Sequence, residues 1–109
     1  MNLPTSGTET ALNLMRAFAG ESQARNRYTI AAHAAKEQSQ YLLSQVFLFT
    51  ANQEKEHAAR LWKMMAGVTG QNIQIEGGYP VETSSDLVTL LQSSVHNEME
   101  EAETVYPAF

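Results

Sequence analysis

Glu54 and His57 stand three residues apart in the stretch ANQEKEHAARL, residues 51–61. If this stretch is helical, the two side chains share a face one turn apart. A carboxylate and an imidazole at that spacing can both bind one divalent metal ion. Further groups of this type occur elsewhere in the chain. Glu21 is followed seven residues later by Tyr28, and Glu98 three later by Glu101 and eight later by Tyr106. On a helix each tyrosine falls on the face of the carboxylate before it. Oxygen-rich donor sets with few imidazoles suit iron or manganese better than zinc, whose structural sites lean on Cys and His. Carboxylates also move between bridging and terminal binding, so two metal ions can change charge without the site being rebuilt. Taken singly, each group is weak. HNEMEEAE alone reads as a solvated acidic face, and His33 and His96 read as surface or packing residues.

Three helices are needed to bring these groups together. Thr8 or Thr10 can cap a first helix over about 9–37, in which Leu14, Ala17, Ala24, Ala31 and Ala35 recur at 3-4 spacing. Ser39 is suited to N-cap a second helix over about 40–66, with Gly67 just past its end. Its seam is Leu43, Phe47, Thr50, Leu61 and Met64. Residues 67–83 form a long connection that can span roughly 50 Å at ~3.3 Å per residue, the length of a whole helix. NIQIE within it has the alternation of a short strand. Thr83, with Asp86 three later, resembles a capping box for a third helix over about 84–109. Its seam is Leu87, Leu91, Ser94 and Val105, and Pro107 can kink or end it. No internal repeat interrupts this plan.

The gaps in these three seams are filled by Glu21 and Tyr28, by Glu54 and His57, and by Glu98 and Glu101. Each stands where the rhythm asks for a core residue. Burying carboxylates together is costly unless they are protonated, reach water or share a cation. A pair of divalent ions answers both desolvation and mutual repulsion. Depth agrees: Glu54 lies about 15 residues into its helix and Glu21 about 15 from the end of its own. A short turn makes those helices antiparallel and sets both carboxylates at one level. A full-length crossover makes the third helix parallel to the second and brings Glu98, about 14 residues in, to the same level.

Composition fits one small domain. The chain has 109 residues, 43% of them apolar, and a formal net charge of −5. Its seven Lys and Arg are scattered, so nucleic acid is not an expected partner. There is no cysteine, which excludes disulfides, thiolate zinc sites and cysteine-held iron centres in this sequence. The first ten residues lack the pattern of a secretory signal, and no apolar run is long enough to span a membrane. A soluble, cytoplasmic protein without a membrane partner is expected.

Three strings resemble the rubrerythrin family: NLMRAFAGESQARNRYT (13–29), ANQEKEHAARLWK (51–63) and NEMEEAETVYPAF (97–109). The resemblance implies an all-α, ferritin-like four-helix bundle with a long crossover. It also implies a non-haem di-iron centre, with manganese or zinc as possible substitutes, that reduces hydrogen peroxide to water in oxidative-stress defence. On this reading Glu21, Glu54, His57, Glu98 and Glu101 are the metal ligands, with Glu54 bridging. In the family, the histidine and the additional glutamate, here His57 and Glu101, exchange as ligands when the iron changes oxidation state. They are therefore the expected catalytic residues. Tyr28 and Tyr106 match tyrosines that orient the carboxylates from behind. Iron oxidation and storage, or a metal-free bundle that only packs with partners, are the competing functions.

The sequence departs from the pattern in one respect. A complete site of this class takes Glu-x-x-His from each of two helices, and only one such motif is present. The domain, 1–109, therefore reads as C-terminally incomplete, with three helices in the chain and the fourth supplied in trans. A separate segment, a twofold dimer or a helix swapped from a related subunit would each serve, and a homo-oligomer is expected. With no rubredoxin-type cysteines, electrons must come from a separate donor such as rubredoxin.

Overall fold

The computed structural model describes residues 8–105, and side chains as far as Glu103. Tyr106, Pro107, the Val105 side chain and the expected helix end at 109 lie outside the described residues. Three α-helices are present among them: α1 (Glu9–Glu37), α2 (Tyr41–Met64) and α3 (Leu87–Glu100). No strand occurs among the described residues.

Helix α1 begins at Thr8, whose hydroxyl accepts a hydrogen bond from the Ala11 amide at 3.1 Å. Glu9 in the first turn and Lys36 in the last complement the helix dipole. Its buried stripe is Ala11, Ala17, Glu21, Ala24, Tyr28, Ala31, Ala32 and Ala35. The alanines let α2 approach closely, and the Ser44 hydroxyl reaches across to donate to the Ala32 carbonyl at 2.8 Å.

Ser39 is not the N-cap of α2. It takes a left-handed conformation, φ 60°, that closes α1 and turns the chain. A residue in that conformation cannot also adopt the extended geometry of an N-cap, so Gln40 holds the position with no side-chain bond. Helix α2 buries Ser44, Phe47, Ala51, Glu54 and Ala58. Thr50 and Leu61 are only half-buried and Met64 is exposed, because the buried stripe is turned from the expected seam toward α1. Gly67 does not end the helix but sits inside a following 3-10 turn, Ala66–Val68.

The crossover is a strap without regular structure. Val68 and Ile73 are buried with Met65 against Ala11, and Ile75 packs on the same cluster with Leu14, Met15 and Phe18. The alternation in NIQIE thus records one face packing on a helix, not a strand. Helix α3 starts three residues later than expected, and its cap is Asp86 rather than Thr83. The Asp86 carboxylate accepts from the Thr89 amide at 3.1 Å and the Thr89 hydroxyl at 2.8 Å. Both bonds hold it below the usual carboxylate pKa.

Gln38 at the end of α1 donates to the Ser85 carbonyl at 2.7 Å, beside the start of α3. Farther along, Tyr28 of α1 meets Glu98 of α3. The third helix therefore runs antiparallel to α1 and parallel to α2, as the long crossover requires. Leu90, not Leu91, is its buried anchor, in a cluster with Tyr28, Phe47 and the α1 alanines. After Glu100 the chain widens into a π-helical turn, Glu101–Val105.

Candidate metal centre

Glu21 and Glu54 meet halfway along the α1–α2 pair, with 8% and 7% of their surfaces exposed. His57 lies one turn beyond Glu54, and its Nδ1 is 3.6 Å from Oε2 of Glu21. One ligand atom from each of Glu21, Glu54 and His57 falls within 4.8 Å of the others. At metal–ligand bond lengths of ~2.0–2.2 Å, two atoms on one ion are at most ~4.4 Å apart. A small inward movement would therefore let one cation engage all three. The donor chemistry also fits: two carboxylates side by side in the interior repel each other and lose hydration, and a shared cation relieves both effects.

The α3 carboxylates are placed differently. The Tyr28 hydroxyl donates to Oε1 of Glu98 at 2.5 Å. Tyr28 is buried beside Phe47, with ring centroids 6.2 Å apart. Burial raises its pKa, and the bond to Glu98 and that residue's charge raise it further. Tyr28 thus stays protonated and holds one oxygen of Glu98 by a directed, charge-assisted bond. Glu101, the first residue of the π-helical turn, is half-buried and its pKa is pushed up to about 7. Burial is the main cause, followed by the charges of Glu98 and Glu21, with Arg27 opposing.

Glu98 and Glu101 stand outside the Glu21–Glu54–His57 group and face it from α3. Two expectations of a dry interior need correction. The His57 side chain is 51% exposed, and Glu98 is also exposed. Their exposure marks an open side of the site. His33 and His96 are surface residues, each beside a glutamate four positions on. Tyr106 lies outside the described residues.

Arg27 is the site residue that sequence reasoning missed. Its Nε donates to Oε1 of Gln23 at 2.6 Å, which fixes the cation near Glu101 and beside the Tyr28 ring. The signal was available in the i,i+4 spacing of Gln23 and Arg27. A cleft of about 500 Å³ adjoins Glu101, walled by Gly20, Gln23, Tyr79 and Asn97.

A sequence model of rubrerythrin matches residues 13–109. The chain belongs to the rubrerythrin family. It is 42% identical over 104 residues to the rubrerythrin of Clostridium perfringens, covering 94% of this chain and 53% of that one. Against the Porphyromonas gingivalis rubrerythrin it is 38% identical over 109 residues, covering 100% of this chain and 53% of the relative. Against that of Nitratidesulfovibrio vulgaris it is 39% identical over 103 residues, covering 94% and 52%. The chain spans about half the length of the curated relatives it matches. Rubrerythrins are iron-binding oxidoreductases of oxidative-stress defence, and the helical architecture here is consistent with their ferritin-like domain. Among the described residues, no helix is long and apolar enough to cross a membrane.

Proposed function

We propose that this chain is the ligand-bearing part of a non-haem di-iron peroxidase that reduces hydrogen peroxide to water. The observation that carries the reading is the convergence of Glu21, Glu54 and His57 at the middle of a packed helix pair. Those three residues, with Glu98 of α3 and Glu101 of the turn that follows it, would hold the iron. When bound, the iron pair supplies the two electrons that peroxide needs to become two water molecules.

The protein's own groups supply position and protons. Tyr28 aims the Glu98 carboxylate from behind. In the metal-free chain, burial and the charges of Glu98 and Glu21 raise the Glu101 pKa to about 7, so its carboxyl group can hold a proton at neutral pH. Arg27 limits how far that pKa rises. His57, reachable from solvent beside Glu21, is the group able to enter or leave the coordination sphere with least disturbance of the core.

The open side of the site is bordered on α3 by a row of exposed apolar side chains, Val88, Leu91, Val95 and Met99. Such a row beside Glu98 suits a helix with an apolar face and further ligands. A fourth helix packed on this side, within a cytoplasmic homo-oligomer, is the completion we favour.

The test is metal content and turnover together. Native mass measurement with elemental analysis is expected to find iron bound in an assembly larger than one chain. Glu54→Ala should lose metal and peroxide turnover while its helical circular dichroism persists. Unchanged peroxide consumption in that variant would end the proposal. Faster consumption of oxygen than of peroxide by the ferrous protein, with growth of a mineral core, would assign iron storage instead.

A further inference from the structure

Opposite the open side, α1 and α2 form a shallow groove of about 530 Å³ whose lining includes Phe18, Arg25, Lys55, Ala58, Trp62 and Lys63. It contrasts with its surroundings in charge. The chain carries a net charge of −5, yet three of its seven basic residues line this groove and no carboxylate does. None of the three forms an ion pair with a carboxylate among the described residues. At one end Phe18 and Trp62 pack with centroids 5.0 Å apart, and Trp62 keeps 62% of its surface exposed.

Unpaired cations around an exposed aromatic are the makings of a contact site for an anionic protein. Aromatic and cationic side chains are favoured at interfaces, and opposite charge steers the encounter. Self-association centred on the groove is disfavoured. A twofold contact there would set Arg25, Lys55 and Lys63 against their own copies. The groove also lies directly behind the candidate metal ligands. Ser22 and Lys55, which line it, follow Glu21 and Glu54 in sequence, so its floor is the back of the same two helix turns.

From this placement we propose that the Arg25–Lys55–Lys63 groove docks the electron donor, an acidic one-electron iron–sulfur protein. The inference rests on the peroxidase reading for its purpose, since each peroxide reduced to two waters consumes two electrons and two protons. The donor's iron centre gives one electron per encounter and leaves oxidised, so two encounters restore the site. Docking through exposed charges fits a transient complex, which must release quickly after each transfer.

Trp62 is the chain's single tryptophan and stands in the groove, so it reports docking directly. The test titrates an acidic rubredoxin into the intact chain and follows Trp62 fluorescence at rising salt. Saturable quenching is expected, weakening as salt screens the contact. The charge-reversed pair Arg25→Glu and Lys55→Glu should weaken binding by about tenfold or more, while the neutral Lys55→Gln gives a smaller loss. Lys55 is exposed and Arg25 half-buried, and circular dichroism checks that the helices persist. Equal affinity of wild-type and reversed chains, or salt-independent binding, would overturn the proposal. So would a native mass that falls on charge reversal, which would make the groove a contact between copies. Peroxide consumption with a small uncharged reductant separates the two readings. If it is absent while charge-dependent docking persists, the peroxidase assignment fails and the docking surface stands.

Discussion

The two halves of the candidate centre are built in different ways. Glu21 and Glu54 sit inside a long antiparallel pair whose alanine-lined seam holds them with little exposed surface. On α3, Glu98 is held by one hydrogen bond from Tyr28, and Glu101 begins a π-helical turn. The first half is pre-arranged by packing, which tolerates little movement. The second is placed by directed bonds on a helix anchored by one buried leucine, Leu90. Packing thus fixes Glu21 and Glu54, while Glu98 and Glu101 are free to adjust.

The sharpest way to break the contrast is to damage the packing that both halves share. Phe47 touches the α1 alanines, Tyr28 and Leu90 in one cluster. Phe47→Ala is expected to cost about 3–5 kcal/mol, near the upper range for buried truncations, and thermal melts should show both halves lost together. Tyr28→Phe strikes only the link between them. Because Glu98 is exposed, the loss should be about 1–2 kcal/mol in stability. Metal titration should show affinity weakened by roughly 10–100-fold, as when an orienting partner of a ligand is removed. Circular dichroism of α1 and α2 should hardly change.

Asp86→Ala isolates the third helix. Loss of its cap should lower the melting temperature slightly, and hydrogen exchange should quicken in α3 amides but not in those of the α1–α2 pair. The smallest effect is expected from pH. In the metal-free chain the Glu101 pKa lies near 7, against 4.5 for an unperturbed glutamate. Between those values the folded chain keeps a proton that the unfolded chain has released. This group's contribution therefore falls as pH rises from about 4.5 through about 7, then levels off. Melting temperatures measured across that window should decline less in Glu101→Gln. The amplitude will be small, since solvent screens a half-exposed group.

The parts of this arrangement that rest on periodicity were readable from the sequence. The α1 seam, the shared level of Glu21 and Glu54, and the direction of α3 all follow from 3-4 spacing and connection lengths. The parts that rest on local competition were not. Ser39 has the chemistry of an N-cap, but the closing turn of α1 needed a left-handed residue there. Thr83 and Asp86 both have capping side chains, and spacing alone favoured the earlier one. Nothing in EEAETV announces a π-helical turn. The exposure of His57 and Glu98 is a property of what stands opposite them, which helical periodicity does not encode.

The strap leaves α3 on a tether. Its first part is pinned on α1 by Val68, Ile73 and Ile75, and the stretch from Glu76 to Asp86 then runs largely exposed to the third helix. A tether of that length confines α3 near its seat at an effective concentration on the order of millimolar. A free peptide copying α3 would therefore have to approach that level before it displaced the helix already attached.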